Sequence, residues 1–175
     1  MKKLRPFKAA LCAICLAAPD AALADAHMVE TYFGPLVECY EVATTDEARL
    51  DCKGRMSTVC METEDGGFST LGMVSCVAAE TQVWDGFLNM AYQARMQGLA
   101  QLDIAEAVQF PEFANRADSL RTAQRAWIAF RDGECSLAYA MWGSGSMRQL
   151  AAVGCLLDMT AARTVELESL GEEMR

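Results

Sequence analysis

Six cysteines lie downstream of Ala24, at Cys39, Cys52, Cys60, Cys76, Cys135 and Cys155, and they constrain the chain more than any other residues. An even set behind an export signal reads as a disulfide framework, because compartments outside the inner membrane are oxidising. The export signal has three parts. Lys2, Lys3, Arg5 and Lys8 make a basic start, residues 9–18 an apolar run, and Ala22-Leu23-Ala24 a small-x-small cleavage site. The expected division is a signal peptide over residues 1–24 and one domain over residues 25–175. Cys12 and Cys15 fall inside the leader, with Leu11 and Ile14 where a lipidation signal needs a small residue, so no lipid anchor is expected.

Charge narrows the partners. The chain carries −9, and losing four basic residues and one acidic residue with the leader takes it to −12. Nucleic acid and anionic membranes need a basic face, so neither is an expected partner. A basic protein would be attracted, although acidity also serves simply to keep an exported protein soluble. The leader's apolar run is shorter than the ~20 residues that cross a bilayer, so no membrane insertion is expected.

Ala, Leu, Met, Glu, Gln and Arg dominate the mature chain, alternating strand patterns are missing, and only Pro35 and Pro111 interrupt it. The expected fold is therefore all-α: an antiparallel bundle of about five helices stapled by disulfides. The first helix is expected over Met28–Val42. A capping box at Thr44 and Glu47 opens a second that ends near Met61.

After the loop 62–70, Ser69 or Thr70 caps a long third helix ending near Gly98. Residues 99–115 read as a flexible connection interrupted by Pro111. A fourth helix over 117–141 turns Leu120, Ala123, Trp127, Phe130, Leu137 and Met141 inward. Gly143-Ser144-Gly145-Ser146 closes it before a fifth over Met147–Leu170, and the tail after Gly171 is expected to fray.

Folding the last hairpin brings Cys135 to Cys155, and a bridge there stabilises by about 3 kcal/mol. The other four cysteines leave several pairings open; Cys39 with Cys52 and Cys60 with Cys76 suit the two earlier hairpins.

The run Ala126-Trp127-Ile128-Ala129-Phe130-Arg131-Asp132-Gly133-Glu134-Cys135, with Cys155-Leu156-Leu157-Asp158-Met159-Thr160 and Arg163, resembles the signature of the lysozyme inhibitor LprI-like N-terminal domain family. Glu80, Trp84, Leu88, Asn89 and Tyr92 resemble its upstream helix. The resemblance spans Cys39 to Leu170 and implies an exported, helical, disulfide-bonded bacterial domain, one of whose members is named for inhibiting lysozyme. No sizeable second domain is expected after the helices, so activities of attached domains are not carried over.

Trp127, Arg131 and Cys135 lie on one helix face at i, i+4, i+8. Arg131 then needs a carboxylate: Glu80 is the expected partner, with Arg163 competing for it. The other reading turns Arg131 toward an anionic ligand.

Chemistry beyond binding has little to stand on. His27 is the only histidine and lies near the mature start, so histidine triads and histidine-rich metal sites lose their central group. The Gly-Ser turn lacks the lysine of a phosphate loop. The acidic stretch Glu62, Glu64, Asp65 with Gly66 and Gly67 lacks calcium-loop spacing and reads as solvated. Scattered methionines, Met56, Met90 and Met141 among them, read as core filler rather than copper ligands. No cofactor and no catalytic residue are expected.

Two functional readings remain. One is a non-enzymatic inhibitor that docks the acidic loop 62–67 and nearby aromatics on a basic cell-wall hydrolase such as lysozyme; the other is an accessory envelope domain that binds a protein and inhibits nothing. Mass spectrometry of the exported protein should show a start at Asp25 and a loss of six hydrogens against the reduced chain. Free thiols would contradict the framework.

Overall fold

A computed structural model describes residues 20–171 of the chain, with side chains from Ala26. Most of the expected signal peptide, Cys12, Cys15 and the tail after Gly171 lie outside the described residues. The helices are α1 (Asp20–Tyr32), α2 (Gly34–Val42), α3 (Asp46–Leu50), α4 (Arg55–Thr63), α5 (Thr70–Glu106), α6 (Arg116–Met141) and α7 (Arg148–Ser169), with a 3-10 turn at Pro111–Phe113. The fold is all-α, and no strand occurs among the described residues.

Among the described residues seven helices stand where about five are expected, because two expected helices break at residues with backbone restrictions. Pro35, lacking an N–H, sits in the first turn of α2 and separates it from α1. Gly54 adopts φ +91°, a left-handed conformation favourable only to glycine, and divides α3 from α4. The α3 cap is Thr45, whose Oγ1 accepts from the Ala48 amide at 3.2 Å. Thr44 and Glu47 form no capping box; the cap lies one residue later.

The third helix runs eight residues past Gly98. A mid-helix glycine costs only about 1 kcal/mol, and Leu99, which packs with Leu88, Ala91, Leu120 and Leu167 in one core cluster, outweighs it. Much of the expected flexible connection is thus the end of α5.

The second core cluster gathers Leu36, Met56, Ala79, Trp84, Leu157 and Ala161 around two disulfides, Cys39–Cys52 and Cys60–Cys76. Trp84 is fully buried, edge-on to Tyr40 and Phe87, which stack with ring centroids 4.4 Å apart. Cys135–Cys155 ties α6 to α7 beside the same cluster, two residues from Leu157. Gln124 meets Arg163 while Cys135 meets Cys155, so α6 runs antiparallel to α7.

That arrangement rotates α6 differently from expectation. Leu120, Gln124 and Cys135 face inward, whereas Phe130, Leu137 and Met141 are 58%, 53% and 77% exposed. Residues 130 and 135 sit about 140° apart around a helix of 3.6 residues per turn, so burying Cys135 turns Phe130 out. Met90 and Met141 are exposed rather than core filler.

Two α5 carboxylates begin other helices. Glu80 is fully buried and takes hydrogen bonds from the Gly54 amide (2.6 Å), the Ser57 amide (2.7 Å) and the Trp84 indole N–H (3.2 Å). Gly54 has no side chain to cap α4, and Glu80 supplies the missing acceptor from a neighbouring helix, next to the positive end of the helix dipole. Asp103 does the same for α6, accepting from the Arg116 and Ala117 amides at 3.0 and 2.9 Å. The Ala117 amide, opposed by partial burial and helped by Arg116, holds the Asp103 carboxyl below the ordinary carboxylate range.

Glu80→Gln should destabilise the fold by about 3 kcal/mol, since an amide nitrogen must then face buried N–H donors, and lower the melting temperature by roughly 6–12 °C. Because the folded-state pKa of Asp103 is depressed, its stabilisation is present above the ordinary carboxylate pKa and is lost as pH falls through the lowered value. Melting curves from pH 6 to pH 2 should therefore fall less steeply for Asp103→Asn than for the parent.

Candidate functional site

The segment from Glu62 to Leu71 is a braced turn. Cys60–Cys76 closes its base, and Gly66 turns the chain with φ +72°. The Gly67 amide bonds the Glu64 carbonyl at 3.0 Å and the Ser69 amide bonds the Gly66 carbonyl at 2.8 Å. Ser69 Oγ accepts from the Gly72 amide at 3.0 Å and caps α5.

Two glycines let the turn sit directly on the helices. A Cβ on Gly67 would collide with the Met61 backbone, and one on Gly72 with the Gly66 carbonyl. The acidic residues then separate in role. Glu64 accepts from the Tyr32 hydroxyl at 2.8 Å and ties the turn to α1. Glu62 and Asp65 remain exposed.

Beside them Phe68 and Leu71 are 68% and 72% exposed. Sequence reasoning weighted the acids, counted nearby aromatics without naming Phe68, and passed over Leu71. The signal was present in the Phe68 that follows two glycines, where no helical stripe claims it. The result is a rigid projection with two aliphatic or aromatic side chains and two carboxylates at its surface.

The signature residues divide between core and cleft. Glu80 and Trp84 are buried and build the α4 cap. Asn89, Tyr92, Trp127 and Arg131 line an open cleft of about 350 Å³ between α5 and α6. Arg131 does not pair with Glu80, whose oxygens are taken by the α4 amides. It lies over the Trp127 ring, 5.1 Å from its centroid, and its Nε and one terminal nitrogen donate to Asp132 at 3.0 and 2.9 Å.

Arg163 does not reach Glu80 either. It donates from Nε to Gln124 Oε1 at 3.0 Å and pairs with Glu166 at 2.8 Å. The i, i+4 spacing predicted that Trp127 and Arg131 share a face. It carried no information on which helix α6 would meet, and so misassigned the carboxylate.

Among the described residues no group of three or more His, Cys, Asp or Glu side chains converges as a metal site would require. No helix of the described residues is long and apolar enough to cross a membrane.

The sequence model of the family described as lysozyme inhibitor LprI matches residues 60–167. An uncharacterized protein of Rhizobium meliloti (strain 1021) is 30% identical over 144 residues, covering 78% of this chain and 90% of the relative. An uncharacterized 17.7 kDa protein in the puhA 5′ region of Rhodobacter capsulatus is 28% identical over 158 residues, covering 89% of this chain and 91% of that one. No solved structure matches.

Gly72→Ala tests how firmly the turn is seated. It should push Gly66 and Gly67 off α5 and cost about 2 kcal/mol, in the range of strained or overpacked sites. Unchanged thermal unfolding would show that the turn is not packed as described.

Proposed function

From the premise that this chain belongs to the lysozyme inhibitor LprI family, we propose that it is an exported, non-enzymatic protein that binds a basic cell-wall hydrolase of the lysozyme type and blocks it. Export follows the leader ending at Ala24, and the three disulfides suit an oxidising compartment. The contact surface is the turn from Glu62 to Leu71. One observation carries this choice: Phe68 and Leu71 are held out in solvent on a disulfide-closed turn, flanked by Glu62 and Asp65.

A preorganised apolar knob loses little entropy on docking, which is how small rigid inhibitors gain affinity. The flanking carboxylates, on a chain of net charge −9, steer a basic enzyme into register and raise the association rate at low salt. Inhibition is steric: the knob fills the substrate cleft and excludes the glycan.

An accessory role finds its support in a different surface. Phe130, Leu137 and Met141 form an exposed row on α6, outside the turn. A protein that bound an envelope partner there would leave the turn idle.

Clearing of bacterial walls by lysozyme, with the mature oxidised protein added at stoichiometric concentration and low salt, separates the two. Inhibition should appear, weaken at high salt, and fall by about tenfold or more in affinity for Phe68→Ala, as for an interface hot spot. Full clearing rates with lysozymes of several types would leave the accessory reading.

A further inference from the structure

The cleft between α5 and α6 has a composition that the inhibitor turn does not explain. Its α6 wall carries Arg121, Arg125 and Arg131, against one acid, Asp85, on the α5 wall. The rest of the molecule is acidic, so the cleft opposes the sign of the body around it. Arg121 and Arg131 do have partners, Asp118 and Asp132, but both are exposed acids on the same helix. Such pairs contribute roughly 0–1 kcal/mol and exchange readily for a better carboxylate. Among the described residues no ion pair involves Arg125.

The cleft is also long. A second cavity of about 440 Å³ shares Asp85 and Arg131 with the first and continues past them to Thr81, Gln82 and Leu156. From Thr81 to Tyr92 along α5 is about 16 Å at 1.5 Å per residue. Its lining alternates amides and hydroxyls with aromatic surface, and its floor includes Gln124, only 6% exposed, whose Oε1 is already used by Arg163. The remaining Gln124 amide N–H groups have no protein acceptor among the described residues.

Arginine clusters also capture acidic peptides. Here, though, Tyr92 and Trp127 lay aromatic surface beside the arginines and Asn89 and Gln124 add side-chain amides, a lining that suits the faces and acetamido groups of a sugar. Donor-rich walls, side-chain amides and an elongated shape fit a sugar chain that carries carboxylates.

We propose that the α5–α6 cleft binds a carboxylate-bearing glycan, with Arg125 and Arg131 on the carboxylate and Asn89 and Gln124 on acetamido and hydroxyl groups. The proposed inhibitor role enters only in naming the source: the walls that lysozyme cleaves alternate N-acetylglucosamine with N-acetylmuramic acid, whose lactyl carboxylate is free wherever the stem peptide has been removed. Bound in this cleft, peptide-free stretches of the wall would hold the protein where a hydrolase attacks.

Calorimetric titration of the mature oxidised protein at low salt tests this with three probes: a peptide-free tetrasaccharide of alternating N-acetylglucosamine and N-acetylmuramic acid, chitotetraose, and a tetrapeptide of Glu and Asp. The carboxylated tetrasaccharide should bind, with chitotetraose about tenfold weaker or more. Arg125→Glu should weaken it by at least about tenfold with unchanged thermal unfolding, whereas Arg55→Glu, on an exposed site outside the cleft, should not.

Equal affinity for chitotetraose, preference for the peptide, equal loss in both arginine variants, or no binding to the folded protein would each overturn the proposal. The titration contains no hydrolase. A protein that fails to inhibit lysozyme can still pass it, and an inhibitor can still fail it.

Discussion

A single buried carboxylate organises the start of this fold. Glu80 sits inside the core with no exposed surface and receives three N–H donors, two from the first turn of α4 and one from Trp84. A charge in that position is tolerable only because every donor is aimed at it; without them the desolvation cost would be several kcal/mol. The bond set also joins three things that local sequence leaves separate: a glycine turn with no cap of its own, the helix after it, and the indole at the centre of the aromatic cluster.

The long helix α5 is therefore more than the largest packing surface. It supplies Glu80 to α4 and Asp103 to α6, and the disulfide partner Cys76 to Cys60. Capping from a neighbouring helix couples local to tertiary structure: α4 is stable only where α5 is already in place. The braced turn between α4 and α5 inherits that rigidity from both ends. A surface meant to dock without reorganising needs such support, and the turn has it from Cys60–Cys76 below and from Gly67 and Gly72 packed against the helices.

The all-α class was legible because propensity, the scarcity of proline and the cysteine spacing agreed. Helix α6 was readable almost to the residue, since Pro111 before it and the Gly-Ser turn after it bound it. What escaped was conformation at single glycines and rotation about helix axes. Gly54 carries no sequence mark distinguishing a left-handed turn from an ordinary helical position, and Gly98, which reads as a stop, is crossed because Leu99 is buried.

Rotation matters more for the site. Phe130, Leu137 and Met141 follow a plausible apolar stripe, yet the bridge at Cys135 fixes the opposite face inward. For the same reason Arg131 was legible as a helix-face neighbour of Trp127, while the sequence left open whether it met Glu80 or an anionic ligand. The acids of the turn were legible by composition; that Glu64 is spent on Tyr32 while Phe68 and Leu71 are exposed follows only from how the turn folds back.

The claim on which the fold and the turn both depend is that Glu80 caps α4 from within the core. Native-state hydrogen exchange of the Gly54 and Ser57 amides measures it directly. Both should be protected to nearly the same degree as the buried centre of α5, exchanging only through global unfolding. Exchange of either amide at the rate of a solvent-exposed helix end would contradict the account.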